Sequence, residues 1–265
     1  MKWLGLFISI CFFIFACVSE YEPSSIEIRL SRSVKILDDF GEEESITDAN
    51  VFIECDQGFT FEPVSVSEEG VYILKVDKLE PAYKYRLSIN WNDKEYKSEY
   101  LSPLDTPAID SISVESPASE KPVYICVTTH DNELEPTYYK WSYREIWEFN
   151  ADLFANAGYL NDKFYMFERH TSQNTYYCWG RDSSKVMLLA TTDKLTENLI
   201  YEKELIEIPR DHDKLKILYY IEVQQNRIRK EAYEYFKNIQ RNIEQTGSLF
   251  SPIPTEVRGN IVCVS

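Results

Sequence analysis

The sequence feature that most constrains the fold is a nine-residue stretch, 83–91, in which apolar and polar residues alternate without a break. Every odd position is apolar or aromatic, and every even position is polar or charged. Because successive side chains of a strand point to opposite faces, this stretch predicts a strand with one buried and one hydrated face. Further segments that read as strands lie at 71–76, 123–129, 138–143, 185–192 and 214–225. We therefore predict a mainly β protein.

The residues before this strand predict how the chain enters it. Leu79, Pro81 and Tyr85 have the spacing of a tyrosine corner, in which the tyrosine hydroxyl bonds back to the backbone of the preceding loop. This spacing resembles fibronectin type III domains and related immunoglobulin-like sandwiches. The alternative is an ordinary loop-to-strand junction with a tyrosine in the core.

Prolines and hydrophobic periodicity together predict the domain organisation. Residues 102–110 contain two prolines and follow the last strand of the first half, so we place a domain boundary there. We predict an immunoglobulin-like sandwich over 26–107 and a second, sandwich-like β domain over 108–265. A helix at about 228–245 is predicted within the second domain, because apolar residues recur there at helical spacing. We expect it to cover a sheet face or edge.

The amino-terminal residues predict where in the cell the protein is located. Lys2 precedes an uncharged apolar run, and the run ends in Ala16 and Cys17. This order predicts a signal peptide over 1–16. An aliphatic residue, Ile14, and then a small residue directly before a cysteine form the bacterial lipobox, so we predict lipidation of Cys17 and a lipidated tether over 17–25. The alternative is an ordinary cleaved signal that contains a cysteine.

Charge and motif content exclude several classes of function. The chain has 44 acidic and 28 basic residues, a formal net charge of −16, which disfavours nucleic acid as a partner. No CxxC pair is present, and the histidine-containing segments 130–133 and 210–213 read as polar loops, so we expect no metal and no cofactor. The common catalytic motifs are missing from the sequence. We expect no enzyme; a hydrolase would need carboxylates that only the fold gathers.

The aromatic residues between 138 and 179 are the strongest candidates for binding. The alternating Tyr139, Trp141 and Tyr143 are predicted to pack in the core. The less regular part, 144–179, is predicted to carry an exposed binding surface, with Trp147, Tyr159 and Trp179 as its candidate residues, since exposed Tyr and Trp stack on sugars or anchor protein interfaces.

Several stretches together resemble one family. They are IRLSRS at 28–33, ANVFI at 49–53, PAIDSI at 107–112, the YYKWSY strand and, most specifically, 231–261 with its helix, paired prolines and Gly-Asn-Ile. The chain resembles the domain of unknown function 4249 family, uncharacterised lipoproteins of Bacteroides-type bacteria.

The resemblance implies a location and a role. It implies an outer-membrane lipoprotein, on the cell surface or the periplasmic face, without enzymatic activity. It further implies an accessory or ligand-binding partner of a TonB-dependent transporter, because the genes of such proteins tend to lie beside these receptors. The alternative is a surface glycan-binding module that uses the aromatic residues of 144–179.

The resemblance also implies a disulfide. From the residues alone, Cys55, Cys126, Cys178 and Cys263 permit three connectivities, and all four can equally be buried thiols. The family resemblance implies a bond between Cys178 and Cys263.

Overall fold

The computed structural model describes residues 24–32, 44–76, 79–118, 121–153, 157–166, 176–245 and 259–264. The chain divides into two compact units, 1–103 with 260–265 and 104–259. The division therefore falls four residues before the predicted boundary, and the last residues belong to the first unit. The predicted signal peptide and Cys17 lie outside the described residues.

The described residues are mainly β, as predicted. In chain order the strands are β1 (Ser24–Arg29), β2 (Ser31–Arg32), β3 (Glu44–Ser45), β4 (Asn50–Cys55), β5 (Thr60–Phe61), β6 (Pro63–Val66), β7 (Val71–Val76), β8 (Tyr85–Trp91), β9 (Lys94–Ser98), β10 (Ser111–Glu115), β11 (Val123–His130), β12 (Tyr138–Asn150), β13 (Ala157–Leu160), β14 (Lys163–Met166), β15 (Tyr177–Ser183), β16 (Leu188–Thr191), β17 (Leu199–Ile208), β18 (Leu218–Ile228) and β19 (Ile261–Cys263). A 3-10 helix spans Asp213–Leu215, and one α-helix, α1, spans Lys230–Gln245.

The first unit contains two larger antiparallel sheets around one apolar core. One sheet has the order β1-β7-β6 and the other β19-β9-β8-β4-β5; β2 and β3 form a small pair. Alternate residues of β4 and β7 are buried in a common cluster, which includes Val51, Ile53, Tyr72 and Leu74. Period-two burial in both sheets produces the sandwich-like packing that the sequence pattern predicts.

The predicted strand over 83–91 begins at Tyr85, and its alternation is broken at one position. Ser88 was predicted to face water but is fully buried. The physical reason is the position of β8 inside a five-stranded sheet, where Ser88 lies opposite Phe52 of β4 and Lys97 of β9. Neighbours on both sides cover a side chain as small as serine.

The tyrosine corner is confirmed. The backbone N–H of Glu80 donates a hydrogen bond to the hydroxyl oxygen of Tyr85, with an N···O distance of 3.0 Å. The ring of Tyr85 is buried, and burial raises the pKa of its hydroxyl. The loop before β8 is thus fixed to the strand that follows it, which is the role the corner has in sandwich folds.

Tyr85→Phe is expected to lower the free energy of unfolding by about 1 kcal/mol, because it keeps the ring and removes one partly buried hydrogen bond. Chemical denaturation of the full chain, followed by hydrogen exchange in 79–91, measures the effect. Tyr83→Phe is the matched control, since it removes a hydroxyl two residues away that makes no contact of this kind with the backbone of Glu80. Equal stability of Tyr85→Phe and wild type would contradict a stabilising corner.

The second unit is built around the long strand β12. From Tyr138 to Glu148, β12 pairs with β18, while its other side pairs first with β16 and then with β15. A separate three-stranded sheet has the order β10-β11-β17, and β13 pairs with β14 as a hairpin. Tyr139 and Trp141 are buried among residues of both larger sheets, so the prediction that this alternating face packs in the core is confirmed.

The predicted helix is present, and it covers a sheet face as expected. It begins at Lys230, because β18 continues as far as Ile228. On the opposite face of β12 from Tyr139, the ring of Tyr138 lies 5.2 Å from that of Tyr233, and the ammonium of Lys140 lies 4.4 Å from the ring centroid of Phe236. Residues of α1 therefore pack on the outer face of β12 near its first residues.

The disulfide that the family resemblance implies, between Cys178 and Cys263, stays a prediction. Cys178 lies on β15 of the second unit. Cys263 lies on β19, where it pairs with Tyr96 of β9 in the first unit. The pairing of β19 with β9 assigns the two cysteines to different units.

Candidate functional site

The candidate site lies on the outer face of the sheet formed by β15, β12 and β18. Even-numbered residues of β12 point outward there, because Tyr139, Trp141 and Glu145 point into the unit and are buried. The pairing register then places residues of the two neighbouring strands on the same face. We name this surface the outer aromatic face and define it by five exposed apolar residues, Ile146, Tyr177, Trp179, Leu218 and Tyr220.

The five residues form consecutive rows across three strands. Glu148 of β12 lies between Trp179 of β15 and Leu218 of β18, and in the next row Ile146 lies opposite Tyr220. Neighbouring strands are separated by about 4.8 Å, so these side chains form one continuous surface. Trp179 is 62% exposed and Tyr220 is 57% exposed, which is unusual for large rings on regular strands.

Charged side chains lie within and beside the apolar residues of the outer aromatic face. In the register Arg181 is opposite Ile146, and Arg144 lies opposite Glu222. Both arginines and Glu222 are exposed. Rings for stacking therefore alternate with guanidinium donors and carboxylate acceptors. This combination suits recognition of a surface that is partly apolar and partly polar.

The helix explains why only part of this sheet face is exposed. Side chains of α1 contact Tyr138 and Lys140 at the start of β12. Ile146 lies six residues further along the same face and is 44% exposed. The outer aromatic face is thus the portion of an otherwise covered sheet face that the described residues leave open to solvent.

The structure divides the binding surface that the sequence predicts. Trp179 lies on the outer aromatic face, but Trp147 points to the opposite face of the same sheet. A Cβ at Gly180 would lie 2.1 Å from the Trp147 ring, so that ring packs directly on the glycine. Tyr159 lies on the separate β13–β14 hairpin and is exposed. The three residues are therefore not one surface, because a period-two strand sends Trp147 and Glu148 to opposite sides.

Trp147 belongs to a buried polar cluster on the inner face. The carboxylate of Glu145, 1% exposed, forms an ion pair with Lys214 and accepts a hydrogen bond of 2.7 Å from the hydroxyl of Tyr219. The ammonium of Lys214 also lies 4.9 Å from the ring centroid of Trp147. Burial, together with the hydrogen bond to Glu145, strongly raises the pKa of Tyr219. The cluster joins the 3-10 helix at 213–215 to the sheet, and each of its charged groups has a partner.

Two residues of the outer aromatic face were missed by sequence reasoning. Leu218 and Tyr220 lie on β18, outside the aromatic-rich segment 144–179 in which the binding surface was predicted. The sequence predicts a strand over 214–225, but the alternation of exposed and half-buried residues from Leu218 to Val223 is seen only in the structure. The sequence does not show that β18 pairs with β12, and only that pairing brings the two residues beside Trp179.

The histidines that were interpreted as loop residues have ordinary structural roles where they are described. Nδ1 of His130 lies 2.7 Å from a carboxylate oxygen of Asp110, and Nδ1 of His212 accepts a hydrogen bond from the backbone N–H of Lys214. His170 lies outside the described residues. In the described ranges, no group of three or more His, Cys, Asp or Glu side chains is arranged to hold a metal ion. Nor does any helix in these ranges have the length and apolar content needed to cross a bilayer.

The fold and the site together define a mainly β protein of two sandwich-like units, whose second unit has an exposed aromatic sheet face. Comparison with protein families finds a match to the model described as "Domain of unknown function (DUF4249)", over residues 16–265. The chain belongs to the DUF4249 family, as its resemblance predicted. Neither the curated proteins nor the solved structures contain a match to this chain.

Proposed function

We propose that this protein is a non-enzymatic outer-membrane lipoprotein, anchored through Cys17, which binds a TonB-dependent transporter as an accessory subunit. The observation that carries the binding role is the outer aromatic face. Five exposed apolar side chains on regular, paired strands have a fixed geometry, so this face loses little conformational entropy when a partner covers it. Contiguous exposed apolar residues of this kind are typical of interaction sites.

The composition of the outer aromatic face supports a protein partner. Trp, Tyr and Arg are the residues that most often dominate the binding energy of protein interfaces. Here Trp179, Tyr177 and Tyr220 are accompanied by Arg144 and Arg181. The anchor is supported by the lipobox at 14–17, and the transporter by the gene neighbourhood that the family resemblance implies.

The partnership is tested by purifying the native protein from outer membranes in mild detergent and identifying what accompanies it. We expect a TonB-dependent receptor with the wild type and a loss of that receptor with the Trp179→Ser/Tyr220→Ser double variant. Each substitution removes an exposed ring, so the fold is expected to be retained. Tyr201→Ser is the matched control, because Tyr201 is also an exposed tyrosine but lies on β17 of the other sheet. Purification of the wild type without any receptor would contradict the proposal.

The anchor is tested separately by Cys17→Ala. We expect this variant to fold, because no contact of the two cores involves a residue before Ile26 in the described part of the chain. We expect it to leave the outer-membrane fraction, since the lipid is the proposed attachment. Cell fractionation and immunoblotting measure this, and retention of the variant in the outer membrane would contradict a lipid anchor at Cys17.

A surface glycan-binding module is the second candidate, and the arrangement of Trp179 and Glu148 favours it. An exposed indole beside a carboxylate offers both stacking and hydrogen bonds to a sugar ring. Glycan-array binding should then be lost in the Trp179→Ser/Tyr220→Ser variant and kept in Tyr201→Ser. Trp147 is not a useful residue for this test, because it packs against Gly180 on the opposite face. Glycan binding that persists without both rings would exclude the outer aromatic face as a sugar site.

A further inference from the structure

The sheet β10-β11-β17 has two edges that differ in how they are protected. At one edge, β17 shows two interruptions in its register with β11, and its residue Glu202 has a φ of +46°. Bulges and left-handed residues of this kind distort an edge and hinder the addition of a further strand. The β17 edge thus has the features by which natural sheets avoid unwanted pairing.

The β10 edge has none of these features. Its five residues pair with β11 in one continuous register. The strand contains no proline and no lysine, and its one charged residue, Glu115, is at its end. Among the described residues β11 is the only strand that pairs with β10. Every second residue of an edge strand directs its N–H and C=O away from the neighbour, so β10 presents a row of backbone groups that can pair with another strand.

Side chains beside this edge show that the sheet is also incompletely covered there. Ile112 and Val114 lie opposite Val127 and Ile125 of β11, both of which are buried in the core. Directly opposite residues share a face, so Ile112 and Val114 point toward the core side. Yet Ile112 is 44% exposed and Val114 is 66% exposed. An added strand would extend the core and bury more of these two side chains.

The other face of the sheet is acidic beside β10. Glu115 alternates with Val114 and therefore points to the outer face, where Glu202 and Glu204 lie near it. Repulsion from Glu202, with a side-chain hydrogen bond to it, raises the pKa of Glu115. A cation on an incoming strand would offset this repulsion, because opposite charges on neighbouring strands attract.

We propose that β10 is a strand-addition site, which binds an extended segment of a partner protein with apolar residues on one face and lysine or arginine on the other. Backbone hydrogen bonds to β10 supply the pairing. Apolar side chains of the partner pack beside Ile112 and Val114, and its cations approach Glu115. This site lies on a different sheet from the outer aromatic face, and the inference does not depend on the identity of the transporter.

The probe is a fluorescent, capped ten-residue peptide in which lysine and valine alternate. Its control is the same peptide with alternate backbone amides N-methylated, which keeps charge and composition and removes strand pairing. We expect the first peptide to bind the detergent-purified full-length protein and to increase hydrogen-exchange protection of the 111–115 amides. Equal binding of the N-methylated peptide would overturn the proposal, because it would reduce the effect to attraction between a basic peptide and an acidic protein.

Two pairs of variants locate the binding. Val114→Ser should weaken binding about tenfold, the equivalent of the burial of one small apolar side chain, while Leu134→Ser, at a fully exposed leucine of the same unit, should not. Glu115→Gln should weaken binding and reduce its salt dependence, while Glu135→Gln, an equal charge change in an exposed loop, should not.

Unchanged binding by Val114→Ser overturns the proposal. So does a dimer, detected by sedimentation, that Val114→Ser dissociates, because the occupant would then be a second copy of this chain.

Discussion

Lys214→Met is expected to lower the free energy of unfolding of the second unit by about 3–5 kcal/mol, because it leaves a buried carboxylate without its cation. Glu145 is 1% exposed, and Lys214 is its ionic partner. After the substitution only the hydroxyl of Tyr219 would remain to stabilise the charge of Glu145. Methionine retains most of the length of the lysine side chain. The decrease in the free energy of unfolding therefore measures the effect of removing the charge rather than of altered packing.

The experiment is denaturant unfolding of the full chain, with hydrogen exchange in β12 and β18 as the local readout. The triple variant Glu145→Leu/Lys214→Met/Tyr219→Phe should recover most of the loss, since apolar side chains of similar volume commonly replace a buried ion pair at little cost. Lys216→Met is the matched control, because Lys216 forms its ion pairs with Asp213 and Asp152 at the surface. It should change stability little. A Lys214→Met variant as stable as Lys216→Met would refute the structural role of the pair.

Gly70→Ala is the substitution expected to affect the first unit most. Gly70 has a φ of +72°, and a Cβ at this position would lie 2.5 Å from the carbonyl oxygen of Leu30 and 3.0 Å from that of Ile46. Both neighbours are backbone atoms joined by hydrogen bonds. The N–H of Leu30 donates to the carbonyl of Gly70, and the N–H of Ile46 donates to the carbonyl of Leu30. The methyl group therefore cannot be accommodated by a side-chain rotation.

Gly70→Ala is expected to lower stability for two reasons, the left-handed backbone conformation and the clash with backbone atoms. Gly58→Ala separates these two effects. Gly58 has a φ of +90°, but a Cβ there would have no atom within 4 Å. Gly58→Ala should lower the free energy of unfolding by about 1–3 kcal/mol, because alanine is strained in the left-handed conformation. Gly70→Ala should lower the free energy of unfolding by more than Gly58→Ala does. Hydrogen exchange should become faster in β7 and β8 of the first unit, while β12 of the second unit keeps its protection. Equal effects of the two substitutions would mean that the backbone approach at Gly70 does not constrain the fold.

Local sequence patterns predicted much of the fold. The alternation over 83–91 predicted β8, and the spacing of Leu79, Pro81 and Tyr85 predicted the corner hydrogen bond, because both depend on residues close in sequence. The helix was predicted from its own apolar periodicity. Its start was placed two residues early, since β18 and α1 follow each other almost without a loop. Sequence patterns place the ends of such adjoining elements poorly.

Long-range pairing accounts for what the sequence did not predict. Trp147 and Trp179 were assigned to one surface because both lie in the aromatic-rich segment 144–179, but β12 and β15 pair so that Trp179 lies opposite Glu148. Leu218 and Tyr220 join the site through the pairing of β18 with β12. The pairing of β19 with β9 places Cys263 in the first unit, whereas Cys178 lies in the second.

The sequence by itself determined the β class, the tyrosine corner, the amphipathic helix and the family, because each of these is carried by residues at fixed short spacing. Only the tertiary structure decided which strands are neighbours, which edge is unprotected and which aromatic rings share a face. The physical reason is that strand partners are selected by the summed burial and hydrogen bonding of distant segments. The alternation of apolar and polar residues along a strand predicts only which face of the sheet a side chain points to. The neighbouring strand decides which side chains lie beside it on that face.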